Sequence, residues 1–544
     1  MLRRSMARLT PPSRLRQIAA VRGEAPPARA WRPSFNPWLI AVSVMLATFM
    51  EVLDTSVANV SLPHIAGSLA ASTDEATWVL TSYLVSNAII LPSTGWITSR
   101  FGRRRTLLTC IGIFTFASVI CGAATSLPML IVARIVQGAG GGALQPIAQA
   151  VLLESFPPER RGPAMAAYGM GVVVAPIIGP TLGGWITDNY SWRWVFYINL
   201  PIGVLAVLMC NVFVEDPPYL RSIGKVRFDS IGFGLMAIGL GAMQIMLDKG
   251  EEEDWLASNF IRWLLVLTVI GLAGFIIREL LTGQPLVDLR IFRDRNFATG
   301  TVMITIVGGI LYAQTAMIPL FLQTLLGYPA LNSGLAVSPR GLGSFVATLL
   351  VGRLITRFDT RLLLLIGLTT LAYATWIFAR IDLQISAWSI AGPNIISGFG
   401  FGFLFVPLTT TTMGTLENEQ VRNATGIYNL MRNIGGSVGI SAATSQITRG
   451  AQRRQAYFAT HFGPTSQVFH QQVQQLTAYL SPLVGEANAR IRAYALVYQT
   501  VVQQAQLAAY VRIFQVLTAL SILCVIGLLF FQKVKPKAGA VAAD

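Results

Sequence analysis

Phe49-Met-Glu-Val-Leu-Asp-Thr-Ser-Val-Ala-Asn-Val-Ser-Leu-Pro63 places two carboxylates, Glu51 and Asp54, inside an apolar run that begins near Trp38. On insertion scales a charge at the centre of a membrane helix costs about 2.5 to 3.5 kcal/mol, so such a residue marks a candidate functional site. The two stand at i and i+3 and share one helix face. Counted from Trp38, Glu51 lies about 20 Å and Asp54 about 24 Å along a helix. In a hydrocarbon core of about 30 Å both fall in the outer half.

The rest of the chain fits a membrane setting. Of 544 residues, 53% are hydrophobic and 12% charged, against about 25% charged in soluble chains. Apolar runs of about 20 residues recur along the whole length, as membrane helices require. The alternating segments of about 10 residues that build a membrane barrel are absent. The formal charge of +16 sits in short loops between apolar runs. That pattern points to positive-inside orientation and away from a nucleic-acid-binding face. Cys110, Cys121, Cys210 and Cys524 all fall inside apolar runs, so they read as buried hydrophobes, not a disulfide framework or metal site. His64, His461 and His470 lie outside the spans, which leaves no histidine to carry a proton at membrane depth.

Fourteen runs centre near residues 48, 88, 115, 139, 175, 204, 239, 270, 310, 345, 370, 400, 436 and 520. Basic loops at Arg100–Arg105, Arg160–Arg161, Arg221–Arg227, Arg290–Arg295 and Arg357–Arg361 alternate with segments such as 59–76, 121–128 and 324–334 that hold no Lys or Arg. Lys533, Lys535 and Lys537 follow the last run. Both ends are therefore expected on the cytoplasmic side, with an even number of spans. Residues 1–37 read as a disordered basic tail that anchors the first helix, with no cleavable signal peptide.

The chain repeats itself. Gly95-Trp-Ile-Thr-Ser-Arg-Phe-Gly-Arg-Arg returns 257 residues later as Gly352-Arg-Leu-Ile-Thr-Arg-Phe-Asp-Thr-Arg361. Gly138-x-Gly140-x-Gly142-x-Leu144 returns 260 residues later as Gly398-x-Gly400-x-Gly402-x-Leu404. Both copies keep one orientation relative to the basic loops, which makes the repeat parallel. The expected division is a six-helix bundle over 38–214, two inserted helices with their loops over 215–296, a second six-helix bundle over 297–531, and a tail over 532–544. The second bundle contains a long outer segment, 449–508.

Energy coupling narrows by elimination. No lysine stands in a P-loop pattern, and Gly138–Gly142 lies mid-span with no strand before it, so it reads as close helix packing. An ion gradient remains, with no cofactor. Arg134 enters its span from the outer side and lies about 10 Å below that boundary, the depth of Glu51. An arginine there opposes the effect of burial on a carboxylate. The pair is either a proton-exchanging group or a static ion pair that fixes packing. Arg432 and Arg340 lie at similar depth in their spans; each binds an anionic group, faces a wet cavity or snorkels.

Gly169, Gly171, Pro176, Gly179, Pro180, Gly183 and Gly184 interrupt one span and suggest a kinked helix with close neighbours. Gly95, Arg100, Gly102 and Arg103 belong to a basic loop that serves either topology or gating. The glutamine-rich stretch Arg449–Leu507 has helical spacing and is expected to be ordered, as either a partner-docking hairpin or an extension of the last span.

These motifs together resemble the fourteen-helix drug:proton antiporters of the major facilitator superfamily. Glu51-Val-Leu-Asp54-Thr-Ser-Val-Ala-Asn59-Val-Ser-Leu-Pro63 is similar to that family's first-helix motif. Leu130-Ile-Val-Ala-Arg134-Ile-Val-Gln137-Gly138 is similar to its fourth-helix motif, whose arginine is implicated in proton transfer. Ala175-Pro176-Ile-Ile-Gly179-Pro180-Thr-Leu-Gly183-Gly184 is similar to its antiporter motif, with Ala175 where glycine is usual. Trp192–Gly203 and Leu286–Phe297 extend the match, which covers roughly 38–531 and is nearest the EmrB group of inner-membrane pumps. The resemblance implies an all-α integral membrane protein of the major facilitator fold: two six-helix bundles related by a pseudo-two-fold axis, plus two inserted helices. It also implies a periplasmic membrane-fusion adaptor, an outer-membrane channel and an inner-membrane location. Ser99 stands where the family's loop usually carries an acid, so the usual inner-gate charge pair cannot form as described.

The resulting expectation is a proton-coupled exporter of amphipathic, hydrophobic compounds, not an enzyme. Asp54 is the first candidate proton carrier, Glu51 the second, and Arg134 tunes their charge. Glu51, Asp54, Asn59, Gln137 and Arg432 are the candidate substrate contacts. The alternatives are a dedicated metabolite or siderophore exporter and, from a different class, a membrane sensor on the same fold.

Overall fold

A backbone in hydrocarbon must satisfy its own polar groups, which a continuous helix does. The computed structural model describes residues 33–216, 229–283, 285–355, 357–416, 418–461 and 466–532, and among them every regular element is a helix. The basic segment 1–32, the loop holding Arg221 and Arg227, and the lysine-bearing tail 533–544 lie outside the described residues.

The first half comprises α1 (Pro37–Ser68), α2 (Thr73–Phe101), α3 (Arg103–Gly122), α4 (Leu127–Gly141), α5 (Leu144–Ser155), α6 (Pro158–Asn189), the single turn α7 (Trp194–Tyr197) and α8 (Asn199–Phe213). An inserted pair follows, α9 (Ser230–Lys249) and α10 (Asn259–Leu281). The second half comprises α11 (Arg295–Thr324), α12 (Ala330–Val337), α13 (Pro339–Leu354), α14 (Thr360–Phe378), α15 (Ala387–Met413), α16 (Asn418–His461), α17 (Gln467–Val484) and α18 (Glu486–Gly527). Local signals set several starts. Pro37 occupies the first turn of α1 and Asn36 accepts from the Trp38 amide. Ser72 and Glu75 cap α2 reciprocally, which satisfies two amides the first turn leaves free.

Eleven spans among the described residues are long and apolar enough to cross a membrane. Each of the fourteen expected centres falls within a helix. Three helices that hold expected centres fall outside that apolar set, α2, α6 and α16, and run 29, 32 and 44 residues. All three pack across the division between halves, α2 and α5 on α16, and α6 on α13. A helix walled by protein needs fewer apolar side chains than one walled by lipid, which explains their polarity.

The repeat is present in the packing. A side chain on Gly138 of α4 would collide with the Tyr83 carbonyl of α2, and one on Gly398 of α15 would collide with the Arg340 carbonyl of α13. Each glycine lets two backbones meet without a Cβ between them. One buried apolar cluster runs through both halves, from Ile40 to Phe531. The α9–α10 pair joins α16 through Met236, Leu240, Phe275 and Ile427.

The glutamine-rich stretch is helical. α16 continues to His461, α18 begins at Glu486, and α17 packs on α18 through Phe469, Val473, Leu476, Ala493 and Val497. It therefore combines an extension of the last span with a helical hairpin.

Candidate functional site

Asp54 and Arg134 meet inside the first half. Arg134 Nη1 donates to Asp54 Oδ2 at 2.6 Å, and both side chains are fully buried. The α4 helix brings a second group one turn on: Gln137 Nε2 donates to Asp54 Oδ1 at 2.9 Å, while Gln137 Oε1 accepts from Arg134 at 2.8 Å. Asn199, at the start of α8, donates to Asp54 Oδ1 at 2.6 Å and to Ser118 at 3.0 Å. Arg134 Nε donates to the Val79 carbonyl at 3.1 Å, and its guanidinium lies over the Tyr83 ring, 4.2 Å from the centroid. The result is a fully buried ion pair whose two carboxylate oxygens are both partnered, while Arg134 Nη2 and Asn199 Oδ1 have no hydrogen-bond partner among the described residues. Removing one partner of such a pair costs about 3 to 5 kcal/mol, because the other charge stays buried alone.

Glu51 faces different neighbours. Its carboxylate accepts from Asn87 of α2 at 3.2 Å and from Gln145 of α5 at 2.7 Å. Both donors are neutral amides. Gln145 Oε1 in turn accepts from Arg432 Nη2 of α16, so a single amide separates Glu51 from a cation of the other half. The expected trio therefore divides into two sites: Asp54 with Arg134, and Glu51 with Gln145 and Arg432. One turn down α5, Gln149 and Asn429 of α16 exchange hydrogen bonds at 2.8 and 3.4 Å. Beside them lies a cavity of about 20 Å³ lined by Gln149, Tyr168, Phe405, Tyr428 and Arg432, room for about one water.

The other candidates divide plainly. Asn59 is exposed and stands apart from this cluster. Gly138 is packed as described above. In α6, a side chain on Gly179 would strike Ser56, and one on Gly183 would meet the Val57 carbonyl at 3.0 Å, so these two seat α6 on α1. Gly184 has only Val60 nearby, at 3.9 Å, and Pro180 is half-buried. The side chain of Pro176 is outside what the structure describes, and helix runs unbroken through its position.

At the α2–α3 turn, Gly102 has φ +82°, a positive value that side chains resist. The backbone amides of Arg103 and Arg104 donate to Asp216 at 2.8 and 3.0 Å, and Arg103 binds Glu154 of α5 through Nη1 and Nη2. Asp216 and Glu154 thus supply acids to this loop, where Ser99 supplies none. Arg100 is exposed, and Gly95 approaches Asn423 of the other half.

Sequence reasoning did not single out Asn87, Gln145, Asn199, Glu154 or Asp216. For Asn87, Gln145 and Asn199 the available signal was a neutral amide inside an apolar run, and for Glu154 and Asp216 an acid at the end of one; neither names a partner.

Comparison with known proteins follows the same lines. The profile of the Major Facilitator Superfamily matches residues 44–440. The Multidrug export protein EmrB of Haemophilus influenzae is 38% identical over 441 residues, covering 80% of this chain and 86% of its own. The Fatty acid resistance protein FarB of Neisseria gonorrhoeae is 38% identical over 445 residues, with the same coverage of 80% and 86%. Among solved structures, the proton:xylose symporter XylE bound to 6-bromo-6-deoxy-D-glucose superposes with a TM-score of 0.57 at 15% identity, covering 92% of this chain and 97% of that one. That last likeness concerns the fold alone.

Proposed function

This chain belongs to the Major Facilitator Superfamily as an efflux transporter and not an enzyme, and we propose that it exchanges protons for amphipathic, hydrophobic compounds by alternating access between its halves. The observation that carries the reading is Glu51, a buried carboxylate held only by neutral amides, one of which also binds Arg432 across the division. A proton gradient is the energy source, with no cofactor. The membrane is the bacterial inner membrane, with both termini cytoplasmic.

The geometry changes which carboxylate is preferred. Protonating Asp54 would leave Arg134 as an unpaired buried cation, the costly outcome for such a pair. Protonating Glu51 leaves neither of its direct partners charged and alone. A neutral Glu51 also loosens the hold of Gln145 on Arg432, so proton uptake weakens one contact between the halves. We therefore assign proton uptake to Glu51, and to the Asp54–Arg134 pair the placing of α1 against α4.

The test uses purified protein in proteoliposomes, with a pH dye reporting substrate-triggered proton release. Glu51→Gln is expected to keep its fold and lose exchange. Asp54→Asn is expected to lose exchange together with thermal stability. Normal exchange in both variants sinks proton coupling through this site; normal exchange in Glu51→Gln alone returns the carrier role to Asp54.

The helical extension 449–508 supports a second element of the reading. Val468, Tyr479, Leu483, Ile491 and Tyr498 are exposed there, and aromatic and apolar anchors of this kind mark protein contacts. We assign the extension to a periplasmic adaptor that leads to an outer-membrane channel. Deleting 462–485 is expected to abolish co-purification with the adaptor while proteoliposome exchange survives.

A further inference from the structure

We propose that Arg340 is the headgroup site for an anionic amphiphile in the second half, built where the first half holds its ion pair. The repeat supplies the first line of argument. Tyr83 and Arg340 are related by the 257-residue offset, as are Val79 and Ala336. The 260-residue offset relates Asp54 to Gln314, Arg134 to Asn394 and Gln137 to Ser397. The hydrogen bonds obey this relation. Arg134 donates to the Val79 carbonyl, and Asn394 donates to the Ala336 carbonyl at 3.3 Å. Gln137 donates to Asp54, and Ser397 donates to Gln314 at 2.8 Å. The second half has thus kept the frame and changed its charges. The carboxylate has become a neutral amide, and the cation has moved from the fourth-helix position to the place of Tyr83.

The consequence is an uncompensated cation. Arg340 is 3% exposed, donates to Thr315 at 2.9 Å and lies 4.8 Å from the centroid of Phe401. Among the described residues it has no carboxylate partner, and its Nη2 has no hydrogen-bond partner. Nor do Gln314 Nε2 and Ser344 Oγ, on the two helices that carry Thr315 and Arg340. All three are donors. Buried charges in a membrane pair with another group or face a wet cavity, and unpartnered donors on the two helices that meet at this cation fit an oxyanion. Aromatic side chains link the site to the cavity between the halves: Phe401 stacks on Phe405 at 6.3 Å, and Phe405 lines that cavity. The headgroup would sit at Arg340 and the tail along that face of α15.

This inference rests on the exporter reading, but its test does not use proton exchange. The purified full chain in nanodiscs would be titrated with labelled dodecanoate, dodecanol and dodecyltrimethylammonium, and binding read at equilibrium. The protein is expected to bind dodecanoate at least about tenfold more tightly than dodecanol, the order expected of charge-assisted hydrogen bonds. Arg340→Gln is expected to erase that preference and leave dodecanol binding unchanged. Gln314→Glu supplies an internal carboxylate, so it is expected to raise the melting temperature and also erase the preference. It serves as the deciding variant where Arg340→Gln fails to fold. Equal binding of acid and alcohol by the unaltered chain would overturn the proposal, as would a preference that survives both substitutions. A failure of proton exchange leaves these binding results readable, so the two readings fall separately.

Discussion

Asp54 receives three hydrogen bonds, two from side chains of α4 and one from Asn199 at the head of α8. Asn199 also binds Ser118, which donates to the Phe196 carbonyl at 2.9 Å. Asn199 therefore ties three helices to one carboxylate. Replacing it with Leu keeps the volume and removes a donor to a charged group. The expected loss is about 1.5 to 3 kcal/mol, the range for hydrogen bonds to ions, read as a lower melting temperature in nanodiscs. Ser118→Ala should cost less, because Asp54 keeps all three donors; an equal loss would show that the Ser118 link matters more than the carboxylate contact. The charged residues of this site were legible in the sequence, because charge inside an apolar run is costly and conspicuous. Their neutral partners were not, since Asn87, Gln145 and Asn199 gain meaning only from what packing brings beside them. The same limit hid the division of the expected trio, because residues at i and i+3 share a face yet still reach different neighbours.

At the scale of helices, contact distance is set by what a Cβ would meet. Gly398 lies against the Arg340 carbonyl, whereas Gly392, on the same helix α15, has nothing within 4 Å. Gly398→Ala should force α15 away from α13 and cost about 1 to 3 kcal/mol or more, as overpacking does. Gly392→Ala should be neutral or stabilising by about 0.5 to 1 kcal/mol, through helix propensity alone. Comparing the two melting temperatures separates steric packing from propensity, and equal shifts would remove the close-approach account. The Gly-x-Gly-x-Gly repeat announced this packing from sequence. Helix ends were less legible: α16 and α18 run 44 and 42 residues, because their outer portions leave the apolar pattern without leaving the helix. Hydropathy reports lipid contact, and those portions pack on helix instead.

The whole molecule is joined at its middle by polar contacts between α5 and α16. Gln149 and Asn429 exchange hydrogen bonds, and Arg432 binds Gln145 one turn away. Neutral amide pairs are cheap to separate where water can replace each partner, unlike the Asp54–Arg134 pair, which stays within one half. The strong ionic contact thus holds a bundle together, and weaker contacts hold the bundles to each other. The alternating access proposed above requires that order. If α5 and α16 part when one side opens, then a covalent tie between them must stop transport. Cys substitutions at Gln149 and Asn429 joined by a short bifunctional thiosulfonate supply that tie, which a reductant removes. The native cysteines are all buried, so they compete little for the reagent. The expected result is loss of substrate-triggered proton release on crosslinking and recovery on reduction, with the single-cysteine variants unaffected. Transport that continues through the crosslink would show that the halves need not separate here, and the movement would then have to lie between α6 and α13, the other seam between the bundles.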